Sequence, residues 1–106
     1  MNKIYVWVKR PGSPPRHVWV SDTLNNLQKL VGGYIETVTL ADDLVVICNE
    51  EGRLKGLPFN FRISETLSFV GDVVFVGIKG EEFADCPLDV KGMKKLFPQL
   101  WDVMAT

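Results

Sequence analysis

Histidine and cysteine are scarce in this sequence, which has one histidine, His17, and two cysteines, Cys48 and Cys86. A structural zinc site needs about four imidazole or thiolate ligands, and covalent catalysis needs a nucleophile within reach of a base. The sequence offers neither set, so we expect no metal site, no cofactor and no enzymatic activity. The two cysteines are expected to be reduced, buried thiols.

Long apolar runs and an excess of one charge are also absent. The longest apolar runs have four or five residues, whereas a membrane-spanning helix needs about 20. Twelve basic and thirteen acidic residues give a formal net charge of −1, so no overall field attracts nucleic acid or an anionic membrane. The N-terminus has no signal-peptide core. We therefore expect a cytoplasmic protein that binds no membrane and does not bind nucleic acid directly.

What the sequence does contain is the composition of one globular domain over residues 1–106, with 46% hydrophobic and 24% charged residues. Residues 3–9 and 16–20 alternate with period two, and the segment 11–15 between them holds three prolines and a glycine. This pattern predicts a β-hairpin. If its aliphatic faces coincide, the opposite face carries one aromatic set, formed by Tyr5, Trp7, His17 and Trp19.

A short amphipathic helix is predicted after the hairpin. Leucine and valine recur at three- and four-residue spacing over residues 24–31, with polar residues between them. Ser21 or Asp22 is expected to cap its start. Gly32 and Gly33 are expected to end it, because glycine adopts the left-handed conformation with little steric cost.

Three further strands are predicted from apolar content. Residues 34–40 are rich in β-branched side chains, and residues 44–48 and 72–78 form apolar runs that suit buried strands. The first two should be neighbours, since only a short turn joins them. The segments 61–63 and 67–70 are too short to assign.

The C-terminal part is predicted to be a connection followed by a helix. Residues 79–87 show no regular pattern, and Asp89 is expected to cap a helix with apolar residues at helical spacing up to Met104. Pro98 should break that helix because proline lacks a backbone donor. The predicted fold class is therefore α+β, with a mostly antiparallel sheet of about five strands. A short helix and the Pro-broken C-terminal helix are expected to cover one face of that sheet.

Residues 30–36, residues 48–58 with Asn60, and residues 71–77 resemble a known family. It is a group of small domains of unknown function found largely in phages and mobile elements of gut and other Gram-positive bacteria. The likeness spans roughly Ile4 to Asp89. The resemblance implies an accessory or counter-defence protein acting in a bacterial host cell, and it brings no catalytic residues with it.

A glycine-bounded polar loop over residues 49–60 is the first candidate binding surface. The candidate ligand-binding residues are Asn49, Arg53, Lys55, Asn60 and Arg62. Guanidinium groups and loop backbone donors are suited to an anion such as a phosphate. The alternative is that Arg53 and Lys55 form weak surface ion pairs with Glu50 and Glu51.

The aromatic side of the hairpin and the end of the chain form the second candidate surface. The candidate interface residues are Tyr5, Trp7, His17, Trp19, Phe97 and Trp101. Exposed aromatic residues anchor protein partners or stack on bases. The alternative is that the C-terminal helix covers these rings, since buried aromatic surface is the commoner case.

The sequence thus favours a non-catalytic binding protein. The expected partner is a small anionic, nucleotide-like ligand, or alternatively a host defence protein such as a CRISPR effector. A homodimer or small homo-oligomer is also expected, because a domain of this size with aromatic residues outside its hairpin has apolar surface to cover.

Overall fold

The computed structural model describes residues 2–102 and has the expected α+β architecture. In chain order the elements are β1 (Lys3–Lys9), β2 (Arg16–Ser21), α1 (Leu24–Val31), β3 (Ile35–Ala41), β4 (Leu44–Asn49), β5 (Phe59–Ser64), β6 (Leu67–Val70), β7 (Val73–Lys79), β8 (Glu82–Ala84), α2 (Val90–Leu96) and a 3₁₀ helix (Pro98–Trp101). The predicted break at Pro98 is confirmed. Met104, where the helix was expected to end, lies outside the described residues.

Six strands form the main sheet, in the order β2-β1-β7-β4-β3, with β8 paired to β7 beside β1. All pairings are antiparallel. The previously unassigned segments form β5 and β6, a separate hairpin. The prediction that residues 79–87 are only a connection was wrong, because they contain β8. Three residues are too few for a period-two pattern to be recognised.

Both faces of the main sheet are covered, so the expectation of a single covered face was wrong. The hairpin β5–β6, α2 and the 3₁₀ helix pack on one face, where Phe75, Met93 and Leu100 are fully buried. Helix α1 packs on the other face through Leu27 and Val31. The central strands β4 and β7 need two covers because they carry apolar side chains on both faces.

The hairpin β1–β2 has the predicted arrangement of its two faces. Tyr5 pairs with Trp19 and Trp7 pairs with His17, so the four aromatic side chains share the α2 face. The aliphatic residues of β1 lie on the α1 face. The predicted pairing of the strands over 34–40 and 44–48 is confirmed as well.

The start of α1 differs from the prediction. Thr23 is its N-cap, with Oγ1 accepting from the Asn26 N–H at 3.1 Å. Neither Ser21 nor Asp22 takes that position, because the Asp22 N–H still bonds to Asn2 in the manner of a strand. Gly32 ends α1 in the left-handed conformation, with φ of 80°, and Asp89 caps α2, both as predicted.

The segment that follows β8 passes close to β7 at Gly77. A Cβ at this position would overlap the backbone oxygen of Asp85. The absence of a side chain lets residues 85–86 reach β1, where the Tyr5 N–H donates to Asp85 Oδ1 at 2.8 Å and the Cys86 N–H donates to the Tyr5 carbonyl at 2.8 Å. Gly77 therefore determines how closely this segment packs beside the aromatic residues of the hairpin.

Candidate functional site

Asn49 holds the polar loop against the end of α1. Its amide is buried, donates to the Val31 carbonyl at 3.1 Å and accepts from the Glu51 N–H at 2.8 Å. Gly33 leaves room for it, since a Cβ there would lie 2.9 Å from Asn49 Nδ2. The Asn49 side chain thus binds the protein's own backbone, and it forms the base of the loop.

Asn60 lies at a different place, beside the buried Lys9. Its Nδ2 donates to the carbonyls of Lys9 and Gly71 at 2.8 and 2.7 Å, and its Oδ1 accepts from Lys9 Nζ at 2.9 Å. Lys9 Nζ also donates to the Arg10 carbonyl, and burial lowers the pKa of Lys9. This network joins β1 to β5. Both polar atoms of the Asn60 side chain are therefore hydrogen-bonded within the protein.

Arg53, in the loop before β5, reaches the face of the hairpin β5–β6 that carries Arg62. Arg53 Nη2 donates to the carbonyl and to Oγ of Ser68 at 2.8 and 3.0 Å. Ser68 is the register partner of Arg62, so both side chains lie on one face of the hairpin. Arg62 Nη1 donates to the Glu65 carbonyl at 3.1 Å. Both arginines are exposed.

The alternative in which Arg53 and Lys55 pair with Glu50 and Glu51 is not observed. Across residues 2–102 the ion pair within 4.0 Å is that of Arg10 with Asp72, at 3.8 Å. Lys55 points elsewhere, toward Gly33 at the end of α1, where a Cβ on that glycine would lie 3.4 Å from Lys55 Nζ.

The five candidate ligand-binding residues are therefore divided among several places. Arg53 and Arg62 share one face of the hairpin β5–β6, whereas Asn49, Lys55 and Asn60 lie apart from them. Ser68, which joins the two arginines, was missed because it falls in a segment too short to assign. Only the strand pairing brings it next to Arg62.

A cleft of about 230 Å³ opens beside Arg53. Its apolar lining includes Val38, Leu54, Leu67, Phe69 and Val70, and its polar lining includes Glu36, Cys48, Glu50 and Ser68. Cys48 Sγ lies 3.8 Å from Glu36 Oε2. Burial, reinforced by the Glu36 carboxylate, raises the pKa of Cys48 to about 11. The cleft thus offers apolar walls, two carboxylate acceptors and a protonated thiol.

The aromatic residues of the hairpin form one continuous stack. Trp7 stacks on His17 with centroids 4.2 Å apart, His17 on Tyr5 at 3.6 Å, and Tyr5 on Trp19 at 4.8 Å. His17 Nε2 is buried without a hydrogen-bond partner among the described residues. Burial lowers the pKa of His17, and the carboxylates of Asp85 and Asp89 oppose that shift.

The two ends of the stack differ in exposure. Trp7 is buried, its Nε1 donates to the Leu88 carbonyl at 2.9 Å, and Trp101 packs edge-on against its ring. Phe97 is buried as well, while 60% of Trp19 is exposed. Tyr5, His17 and Trp101 are half-buried. Of the six candidate interface residues, Trp19 alone is therefore an exposed ring.

Within residues 2–102, no three histidine, cysteine, aspartate or glutamate side chains are grouped so that they could hold a metal ion. No helix within the same range has the length and apolar character needed to span a membrane.

Residues 2–98 match a family model described as a domain of unknown function, DUF3846. The chain belongs to this family. Its model extends past Asp89 through all of α2, further than the resemblance in the sequence indicated. No curated protein and no solved structure matches the chain.

Both candidate surfaces lie within the DUF3846 domain. Arg53, Arg62, Ser68 and Trp19 fall inside the matched range, whereas Trp101 lies beyond its end. The family description names no activity, so the chemistry of these two surfaces is the basis for a functional proposal.

Proposed function

We propose that this DUF3846 protein is a non-catalytic binding protein that sequesters a small anionic, nucleotide-like ligand. The observation that carries the proposal is that Arg53 bonds to Ser68, the register partner of Arg62, with no carboxylate in ion-pair contact with either guanidinium across residues 2–102. Two exposed guanidinium groups on one face, neither of them in an ion pair within residues 2–102, form a local site for an anion in a chain whose net charge is −1.

A phosphate is the anion that this arrangement suits best. Guanidinium groups bind phosphate oxygens through paired, charge-assisted hydrogen bonds. Arg53 uses Nη2 to bind Ser68, which fixes the orientation of the guanidinium plane and leaves its other nitrogens for a ligand. The Ser68 hydroxyl adds a neutral donor between the two arginines.

The cleft beside Arg53 suits a nucleobase rather than a second phosphate group. Glu36 and Glu50 would repel an anion inside it, but they can accept hydrogen bonds from the N–H groups of a base. Its volume of about 230 Å³ lies below the roughly 300 Å³ at which pockets for whole drug-sized ligands begin. We therefore expect the base in the cleft and the phosphate at its rim, against Arg53 and Arg62.

The non-catalytic assignment is supported by the state of the nucleophilic groups. The Cys48 thiol has a pKa raised to about 11, so it stays protonated near neutral pH and is a poor nucleophile. His17 is held between two aromatic rings. Turnover of a nucleotide, peptide or ester that is lost in His17→Ala or Cys48→Ala would contradict this assignment.

The resemblance to phage and mobile-element domains supports a biological setting for the proposal. A sequestering protein of that kind would act in the cytoplasm of the bacterial host and remove a nucleotide-like signal from a defence pathway. Sequestration needs affinity and abundance, and it requires no chemical step.

Thermal unfolding in the presence of mono-, di- and cyclic nucleotides tests the proposal. A ligand present at about 100 times its Kd stabilises the folded state by about 2.7 kcal/mol, which corresponds to a rise in Tm of roughly 10 °C or more for a domain of this size. The Arg53→Glu/Arg62→Glu double variant should lose the shift while keeping its circular dichroism spectrum.

Lys55→Glu is the control, because it reverses one charge on the same loop as Arg53 but at a side chain that faces α1. It should retain the shift. The proposal fails if no nucleotide raises the Tm, or if Lys55→Glu loses the shift as fully as the double variant does.

A second candidate function is inhibition of a host defence protein such as a CRISPR effector. The exposure of Trp19 favours it, since exposed tryptophans at protein surfaces are frequent binding hot spots. Inhibition of a purified effector that Trp19→Lys relieves and Arg53→Glu does not would support this candidate over the first.

A further inference from the structure

Strand β2 is one edge of the main sheet, and its outward backbone groups can be identified. The N–H and C=O of Tyr5 bond to Asp85 and Cys86 on the side away from β2. In an antiparallel pair, the partner of such a residue also directs its N–H and C=O away from the shared ladder. Trp19 is the partner of Tyr5, so its backbone groups point to the open edge. Because backbone direction alternates along a strand, the N–H and C=O groups of His17 and Ser21 also point to the open edge.

This edge has few of the features by which natural sheets prevent edge pairing. Proline, lysine and β-bulges at an edge disfavour the addition of another strand, and β2 has none of them along its register with β1. The opposite edge, β3, is bulged between Thr39 and Ala41 and is followed by the acidic Asp42–Asp43 turn. Pairing of two copies would therefore be favoured at β2 and disfavoured at β3.

The sequence of β2 and the residue after it is complementary to itself when read in the antiparallel direction. Centred on Trp19, the run Arg16-His17-Val18-Trp19-Val20-Ser21-Asp22 places valine opposite valine and arginine opposite aspartate. Within residues 2–102, neither Arg16 nor Asp22 forms an ion pair. Charge complementarity thus selects both the orientation and the register of a second copy.

We propose that a second copy of this chain binds along β2 in the antiparallel direction, with Trp19 of each copy facing the other on a two-fold axis. Trp19 then exchanges backbone bonds with the second copy's Trp19, and His17 does so with the second copy's Ser21. The Ser21 carbonyl already accepts from Asn26 Nδ2 at 3.0 Å, and a carbonyl has a second lone pair for the new bond.

The contact covers the exposed ring of Trp19 and joins the two sheets into one. Arg16 of each copy meets the second copy's Asp22 on the α1 face, and the two indoles meet on the α2 face. Because the same patch is used twice, the dimer closes and does not extend into a fibre. Arg62 lies on β5 and Arg53 in the loop before it, so this inference does not depend on the proposed ligand site.

Sedimentation of the purified chain with a set of charge-swapped variants tests the proposal. The wild-type chain should sediment as a dimer. Arg16→Asp and Asp22→Arg should each weaken the dimer by about tenfold or more, because each places like charges at two symmetric positions. The double variant Arg16→Asp/Asp22→Arg should recover the wild-type dimer, since the swapped charges are complementary again in this register.

The register is tested separately by cysteine cross-linking. In a hydrogen-bonded antiparallel pair the facing Cα atoms are about 5.5 Å apart, which is within the span of a disulfide. Trp19→Cys should therefore give a covalent dimer on oxidation. Thr37→Cys, an exposed position on β3, should not, and the native Cys48 and Cys86 are both buried.

Trp19→Lys should give a folded monomer, with circular dichroism as the check on folding. The proposal is overturned if the wild-type chain is monomeric at concentrations up to about millimolar. This holds even if β2 is found to pair with a strand of another protein. It is equally overturned if a dimer forms that neither single charge reversal weakens, or if the double variant fails to restore it.

Discussion

The imidazole ring of His17 lies against the phenol ring of Tyr5, with their centroids 3.6 Å apart and their planes inclined by 17°. Trp7 covers the other side of the imidazole. This burial lowers the pKa of His17 below its ordinary value of 6.5, although Asp85 and Asp89 act in the opposite direction. The folded state therefore binds fewer protons than the unfolded chain as the pH falls below 6.5. The contribution of the neutral His17 ring to the free energy of unfolding is complete above pH 6.5 and is lost as the pH falls through the pKa of His17 in the folded protein.

His17→Phe should remove this pH dependence while keeping an aromatic ring in the stack. Between about pH 7 and pH 5, we expect the wild-type Tm to fall more steeply than that of the variant, because only the wild type has a titrating ring at this position. The variant should also be at least as stable at pH 7, since it lacks the buried Nε2 that has no hydrogen-bond partner within residues 2–102. Parallel melting curves across this range would contradict the prediction.

Trp7 and Trp19 should respond very differently to truncation. Trp7→Ala removes a buried ring and its bond to the Leu88 carbonyl, so we expect the free energy of unfolding to fall by about 3–5 kcal/mol. Trp19→Ala removes an exposed ring and should cost less than about 1 kcal/mol in the monomer. Urea denaturation at low protein concentration measures both. Equal losses would mean that Trp19 is as well packed as Trp7.

Asn60 is predicted to be a structural residue. Asn60→Ala removes the acceptor for Lys9 Nζ and the donor for two backbone carbonyls. Buried polar groups left without partners cost about 1–3 kcal/mol each, so we expect an overall loss of roughly 3 kcal/mol in urea denaturation. Nucleotide binding, corrected for stability, should be unchanged. If the variant has normal stability but fails to bind nucleotide, Asn60 is a ligand-binding residue and the prediction is wrong.

The Cys48 and Cys86 thiols are predicted to resist alkylation in the folded protein. Burial raises the pKa of both, to about 11 for Cys48, so the reactive thiolate is scarce below about pH 9. Mass spectrometry after iodoacetamide treatment at pH 8 should find both unmodified, and both should be modified in urea. Rapid labelling of Cys48 without urea would show that the cleft beside Arg53 admits reagents to a reactive thiolate.

Much of the fold was predictable because local patterns agree with the tertiary structure. Period-two alternation in β1 and β2, together with the requirement that their aliphatic faces coincide, was enough to predict that Tyr5, Trp7, His17 and Trp19 share one face. Gly32, Asp89 and Pro98 act through their own backbone chemistry, so their effects on the helices could be predicted without knowing the neighbours.

The candidate sites depended on contacts between segments that are distant in sequence. The aromatic face was visible in the sequence, but the exposure of Trp19 and the burial of Trp7 depend on where residues 85–101 pack. Charge in the loop was visible too, yet the meeting of Arg53 with Arg62 depends on Ser68 and on a strand pairing between two short segments.

The amino-acid sequence by itself determined the strands of the hairpin, the end of α1, the start of α2 and the chemistry available at each surface, because these follow from side-chain periodicity and backbone preference within a few residues. The tertiary structure alone decided that α1 and α2 cover opposite faces of the sheet, that Asn49 and Asn60 bond inward, and that β2 is left as an edge. Those outcomes depend on which distant segments bury each other's apolar surface, and no local pattern carries that information.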